Sequence, residues 1–278
     1  MAYRNPSRAH ARSHALGVIA PIAVVSIIAV FAAPALASPA PSGKYGNFSG
    51  TNVTYTDVTE AGSTPLFGSP TVGGNSLDFN PIGFSASSSN GGTGSAIGNL
   101  AFGIEVKKKS ASRIDSVALS EIGSTTLSGN VPPGSMGTAS AAFTSGVLDI
   151  HEVDFDGIAN ISVPFSMTFN PSGGTYFLGT DGGGGPLFNT QFSGSVTLPV
   201  QAILVANGFS ATQGATDISI VLNNELHVVS EAMTSAFMSK MDFSVHTIVS
   251  NPEPTALPAL VFAAAGTLVR RRRRMMAR

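Results

Sequence analysis

Cysteine and tryptophan are absent from this chain of 278 residues, and charged side chains make up only 11% of it. Without cysteine there is no disulfide framework, no thiol nucleophile and no cysteine-ligated metal. Stability has to come from an ordinary apolar core, for which the roughly 210 residues between the two termini are ample. Lack of tryptophan, with only Tyr45, Tyr55 and Tyr176 between residues 38 and 250, removes most of the flat aromatic surface on which sugars stack. The many phenylalanines read instead as core.

Basic charge is scarcest in the middle. Residues 38–250 carry Lys44, Lys107, Lys108, Lys109, Arg113 and Lys240, six cations against fifteen acids, a net charge of minus nine. Such a surface cannot neutralise phosphates, so a nucleic-acid partner is excluded. The Lys107–Lys109 run reads as a solvated strand end, where lysine also blocks unwanted strand pairing.

The other basic residues mark the ends. Arg4, Arg8 and Arg12 precede an apolar stretch from Ala15 to Ala33, broken only by Gly17, Pro21 and Ser26. Ala35 and Ala37 then form a small-x-small site. This order is that of a secretory signal peptide, with cleavage expected after Ala37. The alternative, an uncleaved anchor, is disfavoured by Pro21 and by the well-formed cleavage site.

At the other end, Pro252-Glu253-Pro254 precedes an apolar stretch from Ala256 to Val269, and Arg270, Arg271, Arg272, Arg273 and Arg274 follow without a break. Fourteen residues of helix reach about 21 Å, short of a hydrocarbon core of about 30 Å. Five adjacent arginines cannot be buried unpaired, and they orient the segment with its C-terminus in the cytoplasm. The tripeptide, short apolar helix and arginine cluster together resemble the PEP-CTERM sorting signal. The resemblance covers only residues 251–278. It implies processing near the tripeptide by an exosortase, a membrane protease-transpeptidase, with transient residence in the inner membrane.

Between these labels the chain is rich in Gly, Ser, Thr, Asn, Val and Phe, a composition that suits short strands joined by turns. Strands are expected near Asn52–Thr59, Ser76–Phe84, Ser95–Lys108, Arg113–Ile122, Thr138–Val153, Ile158–Phe169, Phe192–Val205, Asp217–Val229 and Ala236–Val249. Turn clusters such as Ser89-Asn90-Gly91-Gly92 separate them. From Ile161 to Phe169 every odd position is apolar and should face the core. Pro164 lies on the outward set, which makes this an edge strand or a bulge. Phe237, Met241, Phe243 and Val245 are expected on one face. Residues 230–240 read as two strand ends around a turn rather than a helix.

The densest cluster of functional groups is Asp149, His151, Glu152, Asp154 and Asp156, just before Gly157. An exposed strand end and turn is the first reading. A calcium site using Asp154 and Asp156 is the second, although the remaining ligand spacing is missing. A paired-carboxylate hydrolase using Glu152 and Asp154 comes last. His227 and His246 have no acid at ligand spacing. Gly182–Gly185 lacks the Lys and Ser/Thr of a phosphate loop. No nucleophile elbow or zinc motif occurs.

The expectation is therefore a signal peptide (1–37), an all-β antiparallel sandwich with jelly-roll topology as one option (38–250), and a sorting signal with a short transmembrane helix (251–278). The role is an exported, non-catalytic protein of the cell surface or extracellular matrix, without a cofactor unless calcium binds. A calcium- or carbohydrate-binding adhesive module is the alternative, with extracellular polysaccharide as partner, and a secreted hydrolase follows behind it.

Overall fold

Apolar and polar residues alternate along most of the middle of the chain, and a strand answers that period by sending alternate side chains to opposite faces. The computed structural model describes residues 41–62, 64–108 and 112–251. In chain order the strands are β1 (Pro41–Ser49), β2 (Val53–Ala61), β3 (Thr71–Gly73), β4 (Ser76–Phe79), β5 (Ser85–Ser89), β6 (Thr93–Val106) and β7 (Arg113–Ser128). They continue as β8 (Ala139–Val153), β9 (Gly157–Ser166), β10 (Thr168–Asn170), β11 (Thr175–Phe177), β12 (Leu187–Leu198), β13 (Ala215–Val229) and β14 (Ser235–Ser250). One helix, α1 (Val200–Ala206), lies between β12 and β13.

All pairings are antiparallel, and the strands form one sheet nearly closed into a barrel-like shape. One wall runs β1-β2-β6-β13-β8-β9, with β11 beside the start of β8. The other runs β3-β4-β14-β7-β12-β10, with β5 beside the start of β14. A single pair, Ala215 with Ile114, joins the walls in the ladder. The expected all-β antiparallel class is what forms.

The core lies between the walls. On β13, Ile218, Ile220, Leu222, Leu226 and Val228 are buried together with Asn224, while the odd-numbered residues between them face outward. Opposite them Val117, Leu119 and Leu127 of β7 and Met238, Phe243 and Val245 of β14 are buried. Phe67 sits at the centre of an aromatic group, edge-on to Phe84 at 5.3 Å and to Phe243 at 5.4 Å between ring centroids. Such contacts add to the large area that each ring removes from water.

The strand expected over Ile158–Phe169 is split at Met167 into β9 and β10, which pairs with β12, but β9 itself has the expected edge character. It pairs only with β8, Pro164 is exposed, and Ile161, Val163 and Phe165 are half-buried, as on an edge strand. Residues 230–234 turn between β13 and β14, also as expected.

Three further expectations are corrected. The strand predicted over Phe192–Val205 ends at Leu198, and Val200–Ala206 is helical. Pro199 has no N–H for the ladder, and Val200 and Leu204, one helical turn apart, are the buried pair. The strand predicted over Ser76–Phe84 ends at Phe79, since Asn80-Pro81 breaks it. Phe237 and Met241 do not share a face with Phe243 and Val245. They are 42% and 47% exposed, whereas Phe243 and Val245 are fully buried. A register shift between Lys240 and Asp242 places an extra residue, Met241, in β14 and inverts the parity after it. Below the bulge, the inward set is Ala236, Met238 and Lys240.

Among the described residues no helix is long and apolar enough to cross a membrane. The signal peptide expected over residues 1–37 and the apolar segment 256–269 lie outside the described residues.

Phe243→Ala is expected to lower unfolding free energy by about 3–5 kcal/mol in urea titration, and Phe237→Ala by less than about 1 kcal/mol. Equal losses would mean that the bulge does not separate the two faces.

Candidate functional site

Three polar side chains share the inward parity of the apolar core. Glu121 follows Val117 and Leu119 on β7, Asn224 follows Leu222 on β13, and Lys240 follows Met238 on β14. They converge between the walls. The Lys240 ammonium donates to Glu121 Oε1, and both side chains are fully buried. Glu121 Oε2 accepts from Asn224 Nδ2 at 2.7 Å and from Thr144 Oγ1 at 3.0 Å. Asn224 Oδ1 is buried with no hydrogen-bond partner. The Phe84 ring lies 5.5 Å from Lys240 Nζ, and the Lys240 backbone N–H donates to Phe84 O at 2.9 Å.

Removing this ammonium from water pushes its pKa from 10.5 down to about 8, outweighing the pull of Glu121 toward the charged form. Deprotonating Lys240 therefore costs much less here than in water. Such a pair cannot be justified by stability alone, because an apolar pair of similar volume often serves as well or better.

A second buried acid has a structural task. Glu60 accepts from Tyr45 Oη at 2.8 Å and from the backbone N–H groups of Leu66 and Phe67. It holds Phe67 in the core and pushes the Tyr45 phenol well above its ordinary value, after burial itself.

Outside, Glu105 of β6 stands directly opposite Asp217 of β13, and Asp217 opposite Glu152 of β8. Glu105 and Asp217 border a shallow groove of about 410 Å³ that also includes Asp57 and His151. Partial burial raises the Glu105 carboxyl, with Asp217, Asp57 and Glu152 adding repulsion. Asp217 is raised by burial, with His151 opposing and Glu152 adding to the rise. Like charges directly opposed across strands are destabilising.

Asp149, His151 and Glu152 lie on β8, while Asp154 and Asp156 are in its turn to β9. Asp154 and Phe155 have φ of 54° and 70°, as the reversal of the chain requires. Asp154 Oδ1 accepts from Arg113 Nε at 2.9 Å and from the Gly214 N–H at 3.2 Å. Glu152 accepts from Thr216 Oγ1 at 3.2 Å, and His151 Nε2 lies 2.8 Å from Ser219 Oγ. Thus Asp154 and Glu152 tie the hairpin to the β13 side. Among the described residues no group of three or more His, Asp or Glu side chains converges as a metal site.

His227 does have an acidic neighbour, Glu225 at 2.8 Å, because residues two apart on a strand share a face. His246 Nδ1 lies 2.8 Å from Ser76 Oγ. Ala35, Ala37, Pro252, Glu253, Pro254 and Arg270–Arg274 lie outside the described residues. Sequence reasoning missed the Glu121, Asn224 and Lys240 cluster. Its signal is present for Glu121 and Asn224, which fall on the core parity of their strands, whereas Lys240 faces inward alongside Phe243 and Val245 only because β14 bulges at Met241.

No protein-family model matches this chain, and no curated protein matches it. Among solved structures, it is similar to the enzymatically active domain of bacteriophage CBA120 tailspike protein 4, at 12% identity and a TM-score of 0.19, over 73% of this chain and 19% of that one. It is also similar to the infectious bursal disease virus subviral particle, at 11% identity and a TM-score of 0.11, over 80% of this chain and 58% of that one. The chain spans about a fifth of the tailspike's length. Scores this low establish no common fold.

The folded state holds the Asp217 proton more tightly than the unfolded chain does, so this group favours folding most at low pH and loses that contribution as pH rises through its raised pKa. Asp217→Asn is expected to raise Tm at pH 7, with the gain shrinking toward about pH 4, where the unfolded carboxylate itself takes up its proton. Thermal melts across that range check it, and an unchanged or lower Tm at pH 7 would refute it.

Proposed function

We propose that this chain is an exported, non-catalytic protein of the bacterial cell surface or extracellular matrix. It is recognised by general export machinery through its N-terminal segment and released from it after Ala37. An exosortase-type membrane protease-transpeptidase then acts near Pro252-Glu253-Pro254, while Arg270–Arg274 hold the tail on the cytoplasmic side of the inner membrane.

One observation carries this reading. All the described strands lie between Pro41 and Ser250, so both cuts would leave every strand and ladder in place. The last strand, β14, is fully paired with β7 down to Ser250 against Arg113. The body is thus a self-contained cargo whose two-walled sheet reads as a sandwich joined along one side. A non-catalytic role is supported by the structural employment of its acids. Glu60 is held inside by Tyr45 and two backbone N–H groups, and Asp154 and Glu152 fasten a hairpin. The calcium-dependent adhesive reading has less support, because Asp154 Oδ1 is already engaged by Arg113.

Intact-mass measurement of the protein from each cell fraction tests the proposal. The expected product begins near Ser38, ends near Asn251–Pro254 and lies outside the inner membrane. A product retaining Arg270–Arg274 in that membrane would replace sorting with a permanent anchor.

A further inference from the structure

From the buried cluster between the walls we infer that Lys240 and Asn224 are a site of self-catalysed amide formation, a covalent staple joining β14 to β13 with Glu121 as its catalytic residue. Cross-linking by side-chain amide chemistry needs an amine, a carboxamide and a proton carrier, held together away from water. All three are here. Glu121 offers one oxygen to the attacking nitrogen, Lys240 Nζ, and the other to the departing nitrogen, Asn224 Nδ2, at 2.7 Å. Thr144 Oγ1, at 3.0 Å from Oε2, fixes the carboxylate in that position. Lys240 and Glu121 side chains are wholly shielded from solvent, and Asn224 is fully buried.

One further feature favours the reaction. Burial brings the Lys240 amine near neutrality, so the nucleophile is available without a strong base.

The chemistry balances without an external reagent. Glu121 takes a proton from the Lys240 ammonium, and the freed Nζ attacks Asn224 Cγ. The Nζ–Cγ bond forms while the Cγ–Nδ2 bond breaks. Glu121 hands its proton to Nδ2, and a second proton follows from Nζ by the same route. The departing group leaves as ammonium, Glu121 ends as the carboxylate it began as, and nothing is oxidised or reduced. The product links neighbouring regions of opposite walls, which among the described residues the ladder joins only through Ala215 and Ile114. In a cysteine-free chain, this bond would take the place of a disulfide.

The test is mass spectrometry of the denatured full chain together with its Lys240→Met variant. Comparing the two cancels any trimming at the termini. Wild type is expected to be lighter than the substitution alone accounts for, by the mass of one ammonia. Proteolysis should yield a branched peptide containing both Lys240 and Asn224. Glu121→Gln, of nearly the same shape, should lose almost all of that branched peptide. Separate, unmodified Lys240 and Asn224 peptides from wild type would overturn the proposal. So would loss of water, which would indicate a Lys240–Glu121 amide, or a fully linked Glu121→Gln variant.

Discussion

Side chains on β13 alternate without a break from Asp217 to Val229, so every even position from Ile218 to Val228 enters the interior and Asn224 goes in with the isoleucines and leucines around it. The same period carries Glu121 inward on β7, and the bulge at Met241 lets Lys240 remain inward while Phe243 and Val245 also reach the core. The molecule depends on this period of two. A slip of one residue would expose the apolar set and bury the polar one. Because β13 is paired along nearly its whole length on both sides, to β6 and to β8, such a slip would have to break two ladders together.

The polar groups inside are satisfied mainly by one another. A buried charge is tolerated only when paired and hydrogen-bonded. Glu121 meets that condition through Lys240, Asn224 and Thr144, drawn from three other strands on both walls. Glu60 meets it through Tyr45 and two backbone N–H groups. Outside, the balance is different. Carboxylates on β6, β13 and β8 oppose one another in register, and their repulsion is softened by water and by His151. Net negative charge of this kind favours solubility at a modest cost in stability.

Much of the scaffold is legible in the residues themselves. β9 announces itself by the apolar odd positions from Ile161 to Phe165, and its place at an edge by Pro164. The turn at residues 154–156 follows from Asp and Gly at a strand end. The short elements β3, β5 and β11 leave no comparable pattern, because three to five residues cannot display a period. Val200–Ala206 is apolar in any reading, and only its packing against β7 and the core turns that apolarity into a helix.

The amino-acid order alone determined the all-β class, the inward and outward faces of the long strands, and the two terminal patterns that set the middle apart. Those are local properties, expressed through a period of two, through turn residues and through runs of one chemical type. Which strand lies beside which, where β14 bulges, and that Glu121, Asn224 and Lys240 meet were decided by the tertiary structure. These three residues are up to 119 positions apart, and nothing local couples them. Only closure of the two walls brings an amine, a carboxamide and a carboxylate into one dry space.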